Sequence, residues 1–218
     1  MNIADVERRV SYYRSRSCID MDLGAIREYE PTELDGDARE ASVLLPVIDR
    51  SAGPHLLFTK RAEHLKDHPG QMSFPGGGRE PEDEDRVATA VREANEEIGL
   101  EPPEVQLHGR LDDLETVSEY VIRPFVGTIP DRSYTPNDGE VAEITALPLS
   151  ELLDRDNHES ECREHPRYGD IQLHFFHVDG YTVWGATANI LVQFLELVAD
   201  WQPPSQSDCA TSPGDLLT

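Results

Sequence analysis

The feature that most constrains this chain is a set of residues at fixed separations. Gly78 is followed after five residues by Glu84, after seven more by Arg92-Glu93, after two by Glu96-Glu97, and after one by Gly99 and Leu100. Pro81 with Glu80, Glu82, Asp83 and Glu84 predicts a helix start, because proline suits a first turn and acids complement the positive end of the helix dipole. Gly99, with Pro102 and Pro103 beyond it, predicts the stop. Val87, Val91, Ala94 and Ile98 recur at three- and four-residue steps and share one face, which leaves Glu93, Glu96 and Glu97 on the other. In a chain this acidic, three glutamates on a helix face would alone mean only a hydrated surface. The accompanying Gly78, Glu84, Arg92 and Gly99 change that reading.

The pattern resembles the Nudix box, the loop-helix-loop signature of hydrolases that cut nucleoside diphosphates linked to another group. Ala94 stands where the family usually has a larger aliphatic residue. Carboxylates at i, i+3 and i+4 converge, and hard divalent cations such as Mg²⁺ take carboxylate and carbonyl oxygens. The resemblance implies Mg²⁺ or Mn²⁺ held by Glu93 and Glu97, with Glu96 and the Gly78 carbonyl as further ligands, and Arg92 holding a box carboxylate by ion pairing. The general base stays open among Glu93, Glu140 and Glu143, the last two lying ahead of the segment EITALPL.

The segment LFTKRAEHLKDHPGQMSFPGG, Leu57 to Gly77, closely resembles the sequence that precedes the box in coenzyme A diphosphatases. Phe58 and Lys66 depart from that pattern. GRLDDLETVSEYVIRPFVG, Gly109 to Gly127, and WGATANIL, Trp184 to Leu191, are similar to later parts of the same subgroup. The resemblance implies an α/β/α sandwich with a mixed β-sheet. It also implies metal-dependent hydrolysis of coenzyme A or its acyl derivatives to adenosine 3′,5′-bisphosphate and phosphopantetheine. A broader Nudix hydrolase of ADP-ribose, dinucleotides or nucleoside triphosphates is the alternative, and a noncatalytic nucleotide-binding module the second.

Charge sharpens the question of how an anion is held. The chain carries 43 acidic and 19 basic side chains, a formal charge of -24, and Lys60 and Lys66 are its only lysines. Nonspecific attraction to nucleic acid or anionic membrane is excluded. Lys60, Arg61 and Lys66 therefore stand out as a local site for phosphate, with His68, Gln71, Phe74 and Tyr120 as further substrate contacts. The scarcity of lysine and the dispersed acid fit a halophilic cytoplasm. Three widely spaced cysteines, Cys18, Cys162 and Cys209, predict neither a disulfide framework nor a zinc ribbon, which fits a reducing compartment. No apolar run approaches the roughly 18 residues of a membrane span, and the charged N-terminus is unlike a signal peptide.

Residues 1–38 predict an arginine-bearing helical extension with an acidic connector, 39–202 the hydrolase domain, and 203–218 a flexible tail. A homodimer is compatible with this organisation. Within the domain, ASVLLPVID and HLLFTKR predict paired strands, and VQLHGRLDDL, VIRPFVGTI, EVAEITALPL, IQLHFFHV and DGYTVW predict others. ATANILVQFLELVADW predicts a closing amphipathic helix with Ile190, Phe194, Leu197 and Trp201 on one face. His158, Cys162 and His165 are expected in a polar connector, His174 and His177 on opposite strand faces, and Trp184 and Trp201 in the core.

Overall fold

A computed structural model describes residues 21–34, 38–116, 119–165 and 169–203. The predicted arginine-bearing helix and nearly all of the predicted tail fall outside these. In chain order the elements are α1 (Leu23–Glu28), β1 (Arg39–Arg50), β2 (Gly53–Arg61), β3 (Met72–Ser73), β4 (Gly76–Gly78) and α2 (Arg86–Ile98). Then follow β5 (Gln106–Arg110), β6 (Leu114–Glu115), β7 (Tyr120–Ile129), β8 (Val141–Pro148) and α3 (Leu149–Leu152). The chain continues with β9 (His158–His165), β10 (Gly169–Val178), β11 (Tyr181–Trp184) and α4 (Ala186–Ala199).

β1 is the centre of a mixed eight-stranded sheet. It runs parallel to β7 along its length, while its other edge pairs antiparallel with β4 at Ala41–Val43 and with β2 at Val47–Arg50. β2 in turn pairs with β8 and, at its far end, with β3. Strand β1 reads as a nearly unbroken apolar run because both its faces are covered. Leu44 and Ile48 join Leu57, Ala90, Ala94, Ile98, Phe125 and Ile129 beneath α2. Leu45 and Val47 face the other way, into a core shared with Leu56, Phe58, Phe176, Leu191 and Phe194 around α4. The result is the expected α/β/α arrangement with a mixed sheet, to which β9, β10 and β11 add a three-stranded antiparallel sheet on the α4 side.

Helix α2 starts later than Pro81 predicted. Asp85 has extended backbone angles and its side chain accepts a 2.8 Å hydrogen bond from the Ala88 amide, so it caps the helix and Pro81–Glu84 remain a turn. The stop is as expected: Gly99 takes φ 65° and its amide returns to the Asn95 carbonyl. Arg86, the first helical residue, is buried and fixes the helix to the sheet, donating to Ser42 Oγ at 3.1 Å and to the Val121 carbonyl at 2.8 Å.

Four expectations are corrected. α1 forms within the stretch read as connector, capped by Asp22 and burying Ile26 against the core. His158, Cys162 and His165 lie on strand β9, paired residue by residue with β10, where a connector was expected. Cys162 is disulfide-bonded, where no disulfide was expected; Cys18 and Cys209 lie outside the described residues. Trp201 is buried as expected and donates to the Leu153 carbonyl, but Trp184 is exposed. Among the described residues no helix is long and apolar enough to cross a membrane.

Candidate active site

The Pro-Gly-Gly-Gly segment makes room for the carboxylates of α2. A Cβ on Gly76 would fall 2.4 Å from the Ser42 carbonyl oxygen, and one on Gly77 would fall 2.5 Å from Glu93 Oε1. Glycine is therefore required at Gly76 for β4 to pair with β1, whereas at Gly77 the close contact is the end of the Glu93 side chain. Glu93 packs directly against Gly77, and one turn further on Glu97 accepts a hydrogen bond from the Gly76 amide.

Glu97 is 4% exposed, and its Oε2 is buried without a hydrogen-bond partner. Burial, followed by the neighbouring charges of Glu93 and Glu140, pushes its carboxyl up to about 8. Arg61 and the Gly76 amide act in the opposite direction. Glu93 is also raised, chiefly by burial and against the pull of Arg92. A buried and a half-buried carboxylate repelling each other, with one oxygen unsatisfied, make an all-oxygen donor set that fits a hard divalent cation.

Glu96 does not complete that set. Its side chain is 53% exposed and accepts from Arg92 Nη1 at 3.1 Å. Among the described residues no group of three Asp, Glu, His or Cys side chains is arranged to hold one ion. Three glutamates share a helix face, and one guanidinium nitrogen, Arg92 Nη1, lies 3.1 Å from both Glu93 and Glu96. Arg92 Nη2 also donates to the Gly78 carbonyl at 3.0 Å, which uses one of that oxygen's two lone pairs.

Arg92 holds box carboxylates as expected, but its main partner is one residue away from the one counted. Its Nε and Nη2 grip Asp83 at 2.9 and 3.1 Å, while Nη1 reaches Glu93 at 3.1 Å. Asp83 is buried and also accepts from the Glu80 amide and the Thr89 hydroxyl. The Arg92 guanidinium, with these hydrogen bonds, holds its carboxyl down to about 2. Glu84 is exposed. The signal was present in the sequence: counting five residues from Gly77 instead of Gly78 ends on Asp83, and the glycine triplet left that register open.

The remaining predicted residues divide between the two faces of the sheet. Arg61 lies on the α2 side, close enough to Glu97 to act on its charge. Glu140, at the turn into β8, acts on both Glu93 and Glu97, and its carbonyl accepts from the Ala62 amide. Glu143 is separated from them. It pairs across from Lys60, two residues along β8 from Thr145 and four from Leu147 of the α4-side core, and its carboxylate accepts from the Tyr181 hydroxyl. Alternation along a strand thus puts Glu143 and Lys60 on the face opposite α2, which corrects the placing of Glu143 among the catalytic groups.

Lys66 and His68 lie on the exposed loop between β2 and β3, where His68 has φ 53°. Neither lysine is ion-paired to a described residue. Gln71 closes that loop, its carbonyl accepting from the Arg61 amide. Phe74 is 2% exposed and stacked on Phe58 at 4.7 Å, so it supports β3 from the core and cannot touch substrate. Tyr120 starts β7 with the Arg39 guanidinium 4.0 Å over its ring.

The comparisons agree with this geometry. A family profile described as NUDIX domain matches residues 38–165. A protein of Enterobacter sp. (strain 638) named uncharacterized Nudix hydrolase NudL is 39% identical over 159 residues, 70% of this chain and 79% of its own. A protein of the same name from Photorhabdus laumondii subsp. laumondii is 37% identical over 170 residues, covering 77% and 89% of the two chains. Among solved structures, a MutT/nudix family protein from Enterococcus faecalis aligns with a TM-score of 0.49 at 13% identity, over 89% of this chain and 74% of that one. With its box carboxylates assembled on α2 against β4 and its sequence matched over more than half its length, this chain belongs to the Nudix hydrolase family.

Proposed function

We propose that this protein hydrolyses the diphosphate bond of coenzyme A or an acyl derivative, giving adenosine 3′,5′-bisphosphate and (acyl-)phosphopantetheine. The observation that carries the hydrolytic reading is the pair of buried Glu97 and half-buried Glu93, with Glu97 Oε2 unsatisfied and Arg61 near enough to act on its charge. The coenzyme A reading is supported by the segment Leu57 to Gly77, which contributes Arg61, the loop bearing Lys66 and His68, and the glycines against which the carboxylates pack.

Glu93 and Glu97 would hold the divalent cation, Mg²⁺ or Mn²⁺. When bound, it supplies charge neutralisation at the diphosphate and Lewis acidity. Arg92 keeps Glu93 oriented and pairs with Glu96 through the same nitrogen. Arg61 offers a fixed positive charge to a diphosphate oxygen in a molecule that otherwise repels anions. Glu140 is the outside-box carboxylate on the same side, and we assign it the task of accepting the proton of the attacking water. The water oxygen adds to one phosphorus, and the bridging oxygen leaves with the other phosphate.

The test is product analysis with coenzyme A and Mg²⁺ in molar KCl, beside Glu97→Gln and an ADP-ribose control. Adenosine 3′,5′-bisphosphate released by the parent and lost in the variant supports the proposal. Cleavage of ADP-ribose with coenzyme A untouched would overturn the substrate and leave a broader Nudix hydrolase. Binding without turnover of any diphosphate would indicate a noncatalytic module.

A further inference from the structure

The loop of residues 130–140, between β7 and β8, is fastened to the last turn of α2. A helix end leaves its final carbonyls without partners inside the helix. Here the Thr135 amide donates to the Ile98 carbonyl at 3.2 Å, and the Asn137 amide to the Glu97 carbonyl at 2.9 Å. Arg132 donates to the Gly99 carbonyl at 2.9 Å and to Glu104 Oε1 at 2.8 Å. Capping of the helix would account for these bonds by itself, but Asn137 does more.

Its carbonyl accepts from the Glu140 amide at 2.9 Å and the Val141 amide at 2.8 Å, and its side-chain Oδ1 accepts from the Gly139 amide at 3.1 Å. One residue thus closes the turn on three successive amides. Beyond it, the Glu140 carbonyl accepts from the Ala62 amide at 2.8 Å, next to Arg61. The register between β2 and β8 shifts at this point: Lys60 lies opposite Glu143 and Arg61 opposite Val141, which leaves Ala142 as an extra residue. A bulge of this kind bends a strand and re-aims its side chains. The Glu140 backbone is therefore held on both sides of its Cα, and only the side-chain rotamers stay free. Glu140 is exposed, and near enough to Glu93 and Glu97 to act on both their charges.

We propose that Asn137 is a positioning residue that fixes Glu140 relative to Glu97, tying the proton-accepting carboxylate to the helix turn that bears the other. This rests on the reading, under the proposed function, that Glu140 accepts the proton of the attacking water. The link is short: from the Glu97 carbonyl it passes through a single residue to the Glu140 amide. Misplacing a reacting group by about 1 Å can cost on the order of a hundredfold in rate. Asn137 is exposed, where replacing a side chain ordinarily changes stability little, so lost turnover there reports position and not folding.

Steady-state kinetics test this with coenzyme A and Mg²⁺, or with ADP-ribose where that is the diphosphate the parent cleaves. Asn137→Ala loses the acceptor for the Gly139 amide and should lower kcat about tenfold, with KM and calorimetric Mg²⁺ affinity within about twofold. Asn137→Asp keeps an acceptor and should restore kcat to within about threefold of the parent. Arg132→Met removes capping bonds that do not lead to Glu140, and should lower the thermal midpoint while leaving kcat within about twofold. Amide exchange followed by NMR gives a readout independent of turnover: Gly139, Glu140 and Val141 should exchange about tenfold faster in Asn137→Ala than in the parent or Asn137→Asp.

Parental kcat in Asn137→Ala, beside a Glu140→Gln variant with kcat reduced at least about tenfold, would overturn the positioning role and leave Glu140 as the base. A kcat that falls equally in Asn137→Ala and Asn137→Asp, or only together with the thermal midpoint, would make Asn137 a structural residue and overturn the role as well. Parental kcat in Glu140→Gln would remove both the base and the role of Asn137, while turnover lost in Glu97→Gln would keep the hydrolytic reading standing. A parent that cleaves no diphosphate would overturn that reading and the role together.

Discussion

Asp83 and Glu84 are adjacent acids with opposite fates. Asp83 is buried and gripped by two Arg92 nitrogens, whereas Glu84 is in solvent. Removing one partner of a buried pair leaves the other charge desolvated and unmatched. Asp83→Asn should therefore cost about 2–3 kcal/mol of stability, below the usual range for fully buried pairs because Arg92 is partly exposed. It should also cut activity more than tenfold by releasing Arg92 from Glu93. Glu84→Gln should leave both nearly unchanged, and denaturant titration with kinetics on the two variants separates them. Arg92 was legible as a carboxylate holder through the box resemblance, and its pairing with Glu96 is the i,i+4 contact a helix provides. Its partner was not legible, because a loop of acids beside three glycines does not set its own register. Phe74 differs for a related reason: it lies in a motif of contact residues, but its ring is buried in the core and stacked on Phe58.

At the scale of elements, β4 and α2 form one device, since the strand's glycines exist to let the helix carboxylates approach. The two glycines should fail differently. A methyl at Gly77 meets only the end of the Glu93 side chain, which can swing aside, whereas one at Gly76 meets the Ser42 backbone 2.4 Å away. Gly77→Ala should keep the thermal midpoint within a few degrees and lower Mg²⁺ affinity at least tenfold, read by calorimetry. Gly76→Ala should destabilise the fold outright. The small sheet carries a second device, unrelated to catalysis. His158 Nε2 and His174 Nδ1 lie 3.0 Å apart between β9 and β10, against Phe176 and Trp201. Burial pushes both rings down to about 4, with the His174 ring adding to the effect on His158. The unfolded chain binds these protons near pH 6.5, so it holds more protons than the folded one between about 6.5 and 4. Stability should thus fall as pH drops through that window, by roughly 3 kcal/mol per ring at most, and be independent of these rings above it. Urea unfolding at pH 7.5 and 5 measures the drop, and His174→Gln should flatten it. The paired strands β1 and β2 were legible from their apolar runs, and helix α4 from its periodicity. Strand β9 was not, because HESECREH has polar residues at nearly every position and becomes a strand only by pairing with β10.

The whole molecule is governed by a charge excess that no local pairing can remove. Its 19 cations could neutralise at most 19 of 43 carboxylates, which leaves 24 acids repelling one another. Several of the cations are held in exposed pairs, including Arg50 with Asp131, Arg79 with Glu40 and Arg163 with Glu161. Each such pair contributes up to about 1 kcal/mol and weakens in salt. Repulsion among the excess acids weakens too, as the screening length drops from about 10 Å at 0.1 M to about 3 Å at 1 M. The two effects oppose each other, and the count decides the sign: a charge of -24 spread over 218 residues outweighs a handful of exposed pairs. The unfolding midpoint should rise as KCl goes from 0.1 to 2 M, and equally with NaCl, since screening does not distinguish the cations. Substrate affinity should move the other way once global repulsion is screened, because Arg61 acts by charge. Thermal unfolding and KM measured across the same salt series test both signs. A midpoint that falls with salt would mean that the ion pairs, and not the acidic excess, dominate the electrostatic stability of this fold.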